Sequence, residues 1–224
     1  MALKVIKVGG NIIDNPENLS SFLEDLAKLE GPKILVHGGG KVASQLAKDM
    51  GLEVQMVEGR RVTDEKMLDV VTMVYAGLVN KKVVAQLQAL DCNAIGLSGA
   101  DVNAIQSHKR VVKGTDYGFV GDIDEVHGEF IHDLLEKGIT PVFSAITHDK
   151  KGQLLNTNAD TIASNLAIGL SKYVTTQLVY CFELPGVMKD IEDESSIISE
   201  IDRQLYQKLK DDGTIVKGLS LIHI

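Results

Sequence analysis

Cysteine is scarce in this sequence, and its spacing excludes two kinds of structural site. The 224 residues contain two cysteines, Cys92 and Cys181, which lie far apart and form no Cys-x-x-Cys pair. Neither a disulfide scaffold nor a zinc knuckle is therefore indicated. The six histidines show no His-Glu-x-x-His or other paired-ligand spacing, so we predict no metal site built from protein ligands.

Long apolar runs and an excess of positive charge are also missing. No early apolar stretch is long enough for a signal peptide or a membrane helix, so we expect a cytoplasmic protein with no membrane partner. The net charge of −8 and the pI near 5.2 argue against binding nucleic acid through its phosphates. Internal repeats and low-complexity segments are absent as well.

The sequence does contain two short apolar runs that each end in glycines. Residues 34–37 lead into Gly38-Gly39-Gly40, and a helix-like stretch follows over residues 41–47. Residues 5–8 lead into Gly9-Gly10 in the same way. Glycine allows close approach of a ligand to the backbone, and the first N–H groups of a helix favour negative charge. Both turns therefore predict sites for phosphate or carboxylate.

Apolar spacing along the chain indicates alternating strands and helices. Strands are predicted over residues 3–8, 34–37, 53–57, 94–97, 139–146 and 177–182, with a hairpin or lid over 117–126. Helices are predicted over residues 19–29, 41–51, 65–90, 130–137, 159–170 and 202–210. With hydrophobic residues at 44%, this pattern implies a largely parallel sheet that is covered on both faces. Thr63 or Asp64 is expected to cap the helix that follows it.

Other glycine-rich motifs explain less of the sequence. Residues 38–43 fit Gly-x-Gly-x-x-Ala, with Glu58 as a ribose-binding acid, but this dinucleotide motif leaves the earlier glycine pair unexplained. A Walker A loop would need glycine at Leu35 and Ser or Thr at Val42. The His-Gly-Gly-Gly segment of lipases requires a Gly-x-Ser-x-Gly elbow, and residues 96–100 have their second glycine in the wrong place.

Several polar residues also have a simple structural interpretation. Lys7 could be a surface lysine at a strand end, and Arg61 a solvated loop charge. Asp160 could complement a helix dipole, and Asn156 and Asn158 could form turns. The glycines beside Lys7 favour phosphate chemistry instead, because a lysine next to free N–H groups suits an anion.

The remaining features match one family, in that family's order. The matching segments are Lys7-Val8-Gly9-Gly10, Val36-His37-Gly38-Gly39-Gly40, Gly59-Arg60-Arg61-Val62-Thr63, Gly118-Phe119-Val120-Gly121, Asn156-Thr157-Asn158-Ala159-Asp160 and Pro185-Gly186-Val187. On these segments the chain resembles the amino acid kinase family, and within it the branch that acts on N-acetyl-L-glutamate in arginine biosynthesis. The resemblance spans residues 3 to about 218. It implies an α/β fold, a three-layer αβα sandwich with a mostly parallel central sheet.

The resemblance also implies how the chain is divided. Residues 1–151 would form an N-terminal lobe that binds the acyl-glutamate and makes the dimer interface. Residues 152–218 would form a partial C-terminal lobe that binds ATP, and residues 219–224 a tail foreign to the family. Arginine-inhibited members carry an extra helix before the first strand, which joins dimers into hexamers. Here the first predicted strand begins at residue 3, so we expect a homodimer of the arginine-insensitive type.

The implied reaction moves the γ-phosphoryl group of ATP to the side-chain carboxylate of N-acetyl-L-glutamate, with Mg²⁺ carried on the ATP phosphates. A carboxylate is already ionised at pH 7, so no general base is needed. What remains is positioning and neutralisation of charge on the transferred group. Lys7 and Asp160 are the implied catalytic pair: Lys7 stabilises the phosphoryl group, and Asp160 holds the catalytic lysines in place.

Binding residues follow from the same resemblance. The implied substrate-binding residues are Gly10, Gly39, Gly40, Arg61, Asn156 and Asn158. Backbone N–H groups near Gly10 and Gly39 would stabilise the phosphoryl group, and Arg61 would hold the α-carboxylate in a bidentate fork. The implied ATP-binding residues are Lys7, Gly9, Gly10, Glu183, Leu184, Pro185, Gly186, Val187, Met188, Thr214, Ile215 and Val216.

One departure from the family and several alternative functions stay open. The family continues after residue 216 through a second catalytic lysine, and Lys217 lies too early to be that lysine. We therefore expect this chain to be weakly active or poorly soluble. The alternatives are N-succinyl-L-glutamate as the substrate, another amino acid kinase activity, a nucleotide-binding protein without turnover, and an NAD-dependent oxidoreductase.

Overall fold

The computed structural model describes residues 1–182, 186–188, 190 and 193–211. In chain order the elements are β1 (Leu3–Val8), α1 (Gly10–Asp14), α2 (Pro16–Lys28), β2 (Lys33–His37), α3 (Gly40–Asp49), β3 (Met56–Val57), β4 (Arg60–Arg61), α4 (Glu65–Thr72), a π-helical segment (Met73–Val79), α5 (Asn80–Ala89), β5 (Ala94–Leu97), a 3₁₀ turn (Asp101–Asn103), β6 (Ile105–Lys109), β7 (Gly121–Val126), α6 (Gly128–Glu136), β8 (Thr140–Ser144), β9 (Ile146–His148), β10 (Leu154–Asn156), α7 (Ala159–Leu170), β11 (Thr176–Cys181), a 3₁₀ turn (Glu194–Ser196) and α8 (Arg203–Asp211).

A parallel sheet forms the centre of the fold. In the described part of the chain its strand order is β11-β1-β2-β8-β5, and every neighbouring pair in it is parallel. All five residues of β2 are buried, as expected for a strand that is covered on both faces. Helices α2 and α5 contact each other, as do α6 and α7, and α5, α6 and α7 also contact strands of the sheet. The predicted α/β class with a mostly parallel central sheet is confirmed.

Helix α2 shows how local sequence signals set the boundaries of an element. The side chain of Asn15 accepts hydrogen bonds from the N–H groups of Glu17 and Asn18, and proline occupies the first helical position. Leu23 is completely buried on the inner face. Replacing such a leucine by alanine typically costs about 2–5 kcal/mol of stability.

The long helix predicted over residues 65–90 is interrupted by a change of winding. Asp64 caps α4 by accepting a hydrogen bond from the Met67 N–H at 2.8 Å. The chain then passes through the π-helical segment before α5 begins. π-helical turns are uncommon and often occur at functional sites. This one carries Tyr75, which lines the cavity described below.

A second sheet was not predicted from the sequence. Its strand order is β10-β9-β6-β7, and it is antiparallel except between β6 and β9. The prediction of one strand over residues 139–146 is wrong. Strand β8 ends at Ser144, and β9, which begins at Ile146, belongs to this second sheet. The expected hairpin at 117–126 supplies β7, but its partner is β6, which the sequence did not reveal.

Gly118 adopts a φ of +70°, and a Cβ there would lie 2.1 Å from the Thr63 carbonyl oxygen.

Candidate active site

A cavity of about 190 Å³ opens at the carboxyl ends of the central strands. The strand register aligns Val8 of β1 with His37 of β2, and His37 with Ser144 of β8, so the segments that follow these strands meet at one edge of the sheet. The lining residues are Gly38, Gly39, Gly40, Met56, Gly59, Arg60, Arg61, Tyr75, Val120, Ala145, Asn156, Thr157, Asn158 and Ala159. Ligands of open parallel sheets bind at this edge.

The glycine loop between β2 and α3 forms one wall of the cavity. Gly39 has a φ of +151°, and a Cβ on it would lie 3.0 Å from the ring of Tyr75. Glycine is therefore required at this position for two reasons, backbone conformation and space. No side chain caps the N-terminus of α3, which leaves its first N–H groups available for an anion.

Arg61 forms a second wall of the cavity and is hydrogen-bonded to the glycine loop and to α3. Its Nη2 donates to the Gly40 carbonyl oxygen at 2.8 Å and to the Ser44 Oγ at 2.7 Å. The residue is only 6% exposed, and its Nε has no hydrogen-bond partner among the described residues. A buried N–H without an acceptor is costly, so this guanidinium is suited to bind a carboxylate.

Asn156 is the last residue of β10, Asn158 follows it, and both line the cavity. The Asn156 Nδ2 donates to the Thr63 Oγ1 at 2.9 Å, and that hydroxyl donates to the Arg61 carbonyl oxygen at 2.8 Å. This chain of hydrogen bonds connects the strand that bears Arg61 to β10. The Asn158 side chain accepts from the Thr161 N–H at 3.0 Å and so caps α7. Asn158 therefore has a structural role as a helix cap, in addition to the role in substrate binding that the resemblance implies.

Lys7 and Asp160 form an ion pair next to this cavity. The Lys7 Nζ lies 2.9 Å from the Asp160 Oδ1, and each side chain is 19% exposed. Tyr180 donates from its hydroxyl to the Asp160 carbonyl oxygen at 3.3 Å. Burial and, secondarily, the negative charge of Asp160 raise the pKa of Tyr180 to about 12, so this phenol stays protonated.

The first glycine pair occupies the neighbouring strand end. The Gly9 N–H donates to the Cys181 carbonyl oxygen at 2.9 Å, and Gly10 begins α1 without a side-chain cap. The Lys41 ammonium reaches across from α3 to the Asn11 side-chain oxygen. Behind them, burial raises the pKa of Asp14, which Lys41 partly opposes. Gly9 and Gly10 are thus near Lys7 but do not line the cavity.

Tyr75 and Arg60 are two of the cavity residues that the sequence analysis did not name as site candidates. Tyr75 falls in a regular apolar stripe, and such a stripe predicts only packing. Arg60 was noted as part of a matching segment but was given no role. It lies on β4, and its guanidinium forms no hydrogen bond or ion pair within the described part of the chain. Burial and the nearby charge of Arg110 lower the pKa of Arg60, whereas Asp122 opposes this shift.

The predicted ATP-binding segments are only partly described. Glu183, Leu184, Pro185, Thr214, Ile215 and Val216 lie outside the described residues. Gly186, Val187 and Met188 are described and do not line the cavity. The Val187 carbonyl oxygen accepts from the Ile198 N–H at 2.8 Å, and Met188 bridges to Ile197. In the described residues there is no group of three or more His, Cys, Asp and Glu side chains that could hold a metal, and no helix long and apolar enough to cross a membrane.

Comparison with known proteins adds a family and several close relatives. Residues 2–224 match the model of the amino acid kinase family. A protein of Cytophaga hutchinsonii named acetylglutamate kinase is 58% identical over 97% of this chain and 83% of its own length. The acetylglutamate kinase of Parabacteroides distasonis is 51% identical over 97% of this chain and 85% of its own length. The crystal structure of smu.665 from Streptococcus mutans superposes with a TM-score of 0.78 at 24% identity, covering 97% of this chain and 85% of that one, which supports the fold alone.

Proposed function

We propose that this chain, which belongs to the amino acid kinase family and is an ATP-dependent kinase, transfers the γ-phosphoryl group of ATP to the side-chain carboxylate of N-acetyl-L-glutamate. The observation that carries the proposal is the position of Arg61. It lies, with a free Nε, in a cavity walled by a glycine loop and a helix N-terminus. The Lys7–Asp160 ion pair adjoins this cavity, since Ala159 lines it.

Each of these groups has a defined task in the proposed reaction. Arg61 holds the α-carboxylate of the substrate, which leaves the side-chain carboxylate to face the phosphoryl donor. That carboxylate is ionised at pH 7 and needs no base. Lys7 and the N–H groups of Gly10 and Gly39 stabilise the charge that develops on the transferred phosphoryl group. Asp160 holds Lys7 at 2.9 Å and so fixes the position of its ammonium.

Binding of the nucleotide belongs to the same proposal. ATP would bind along residues 183–188 and 214–216, next to Lys7, Gly9 and Gly10. When Mg²⁺ is bound, it rides on the ATP phosphates and neutralises part of their charge. We further propose residues 1–151 as the acyl-glutamate and dimer segment and residues 152–218 as the ATP segment of a cytoplasmic homodimer. Strand β11 of the second segment pairs with β1 of the first, so both contribute to one sheet.

A second substrate is favoured by one observation, the place of Arg60 in the cavity wall. The cavity lining contains two arginines and no carboxylate. N-acetyl-L-glutamate presents one α-carboxylate to bind, and Arg61 suffices for it. The N-succinyl substrate carries a further carboxylate at the end of its acyl group, for which the Arg60 guanidinium is a suitable partner.

The test is an ADP-release assay with a panel of phosphoryl acceptors. The panel contains N-acetyl-L-glutamate, N-succinyl-L-glutamate, L-glutamate, L-aspartate and carbamate, and calorimetry with ATP–Mg²⁺ and with NAD runs beside it. We expect ADP release only with the acyl-glutamates and binding heat only with ATP. Release with aspartate or carbamate would assign a different kinase activity. Binding of ATP without turnover would favour the nucleotide-binding alternative, and binding of NAD alone would overturn the proposal.

A further inference from the structure

His37, the residue that precedes the glycine loop, is completely buried and makes two hydrogen bonds. Its Nδ1 lies 2.8 Å from the Gly38 carbonyl oxygen, and its Nε2 lies 3.0 Å from the Asn80 Nδ2. The same Nδ2 donates to the Val142 carbonyl oxygen at 2.9 Å. Turning the Asn80 amide around would set its oxygen against that carbonyl, so the nitrogen must face both partners.

This arrangement determines the tautomer of His37. Because Asn80 donates to Nε2, that nitrogen must carry a lone pair, and the proton of the neutral ring is on Nδ1. The Gly38 carbonyl oxygen can only accept, which requires the same tautomer. Burial lowers the pKa of His37 to about 4, an effect that the Gly38 hydrogen bond only partly opposes. The ring is therefore neutral at pH 7, with Nδ1–H pointing at Gly38.

The bond from His37 sets the plane of the peptide that joins Gly38 to Gly39. In a trans peptide the carbonyl and the N–H point in opposite directions. Since the Gly38 carbonyl points at the buried imidazole, the Gly39 N–H points away from it, and Gly38 and Gly39 both line the cavity. Neither glycine has a side chain that restricts this peptide, so loss of the His37 bond would loosen its plane while the Gly39 carbonyl oxygen stays bonded to the Ala43 N–H at 3.0 Å.

The Asn80 amide, the partner of His37, lies close against Gly96 of β5. A Cβ on Gly96 would lie 1.9 Å from the Asn80 Oδ1, so only glycine leaves space for this amide. The Asn80 Oδ1 has no hydrogen-bond partner in the described part of the chain. A buried unpaired amide oxygen costs stability. The nitrogen of the same amide, by contrast, bonds to both His37 and Val142.

We propose that His37 and Asn80 are positioning residues for phosphoryl transfer, holding the Gly38–Gly39 peptide so that the Gly39 N–H donates to the transferred group. This inference rests on the proposed function. The imidazole touches neither substrate nor reacting atoms and acts only through the backbone. Its loss should therefore lower kcat, because a donor that acts on the transition state is misdirected, and should leave both KM values nearly unchanged.

A pair of His37 variants separates this role from simple core packing. His37→Leu keeps apolar volume but removes the donor, whereas His37→Asn keeps an N–H group at the position of Nδ1. We expect His37→Leu to lower kcat by about 10- to 100-fold, since removing such a donor outright costs about 10² to 10³. His37→Asn should recover most of this loss although it packs less well. Thr140→Val, a buried change at the start of β8 and away from the cavity, is the control for destabilisation and should keep wild-type kcat.

Three results would overturn the inference. They are wild-type kcat in His37→Leu, no recovery in His37→Asn when both variants are folded by circular dichroism, and a rise in KM with unchanged kcat. If the leucine variant does not fold, ¹⁵N NMR of the imidazole in the wild-type chain decides: Nδ1–H at pH 7 supports the inference, and Nε2–H or imidazolium contradicts it. Failure of the proposed function is distinct, because the wild-type chain would then phosphorylate no acyl-glutamate, while the NMR result would still test the geometry.

Discussion

The ammonium of Lys7 on β1 lies 2.9 Å from the carboxylate of Asp160 on α7, and each side chain is 19% exposed. Helix α7 packs on β1 and β11, and this packing brings the carboxylate to the end of the strand that bears the lysine. The pair is largely shielded from solvent but not closed, as the proposed contact between the lysine and a phosphoryl group requires. It is the most directly testable element of the proposed mechanism.

Lys7→Ala should lower kcat by about 10² to 10³, the usual effect of removing a group that stabilises transition-state charge. Binding of ATP–Mg²⁺ by calorimetry should persist, because the lysine acts mainly on the transferred group. Lys4→Ala is the matched control, since Lys4 lies on the same strand and, among the described residues, its Nζ bonds only to the Glu30 carbonyl oxygen. Near-normal kcat in Lys7→Ala would remove the main electrostatic element of the mechanism.

Asp160→Asn should also lower kcat, but through Lys7. The amide keeps the size of the side chain and removes the charge that holds the ammonium, so the lysine is free to leave its position. The matched control is Asp25→Asn, which removes a carboxylate that is 3.9 Å from Lys28 on the exposed face of α2. If Asp160→Asn retained full turnover while Lys7→Ala lost it, the aspartate would have no positioning role.

Arg61→Lys should raise the KM for the acyl-glutamate and leave the KM for ATP nearly unchanged. A lysine ammonium is a point charge and cannot reproduce the planar fork that holds a carboxylate. Because Arg61 also donates to the Ser44 Oγ, Ser44→Ala serves as a control that removes this structural bond, together with the bond from the same hydroxyl to the Gly40 carbonyl oxygen, and keeps the guanidinium. An equal rise in both KM values for Arg61→Lys, or an equal effect of Ser44→Ala, would assign Arg61 to structure.

Arg60→Gln should change the preference between acyl groups. If Arg60 binds a terminal carboxylate, kcat/KM for N-succinyl-L-glutamate should fall by at least about tenfold, which corresponds to about 1.4 kcal/mol. The value for N-acetyl-L-glutamate should stay the same or rise. Arg110→Gln is the comparison, because Arg110 is already paired with Asp122 at 2.8 Å. A parallel loss for both substrates in Arg60→Gln would show that Arg60 does not select the acyl group.

The stability of the fold should depend on pH through His37. Its pKa is about 4 in the folded chain and about 6.5 when exposed, so protons bind preferentially to the unfolded state. Above pH 6.5 the ring is neutral in both states, so burying His37 does not lower the free energy of unfolding. Between pH 6.5 and 4 the free energy of unfolding should fall by about 3 kcal/mol. Urea unfolding over this pH range measures the effect. His37→Asn should show a correspondingly smaller dependence, and identical pH profiles for the two proteins would contradict the assignment.

Local sequence patterns predicted the elements whose signals are continuous along the chain. Strand β1 and strand β5 have the bounds expected from their apolar runs, and α7 spans the predicted residues. Strand β6 was missed, because only Ile105 and Ser107 of its residues are buried and no apolar alternation marks it. Its identity as a strand depends on pairing with β7 and β9, which are distant in sequence.

The sequence by itself determined the central parallel sheet and both glycine turns, because glycine and alternating apolar runs act through local backbone geometry. It also supplied the family, since several short segments occur in one order. Only the tertiary structure decided that Lys7 meets Asp160, that Tyr75 and Arg60 line the cavity, and that His37 is held by Asn80. These relationships depend on packing between elements far apart in the chain, and no local periodicity encodes them.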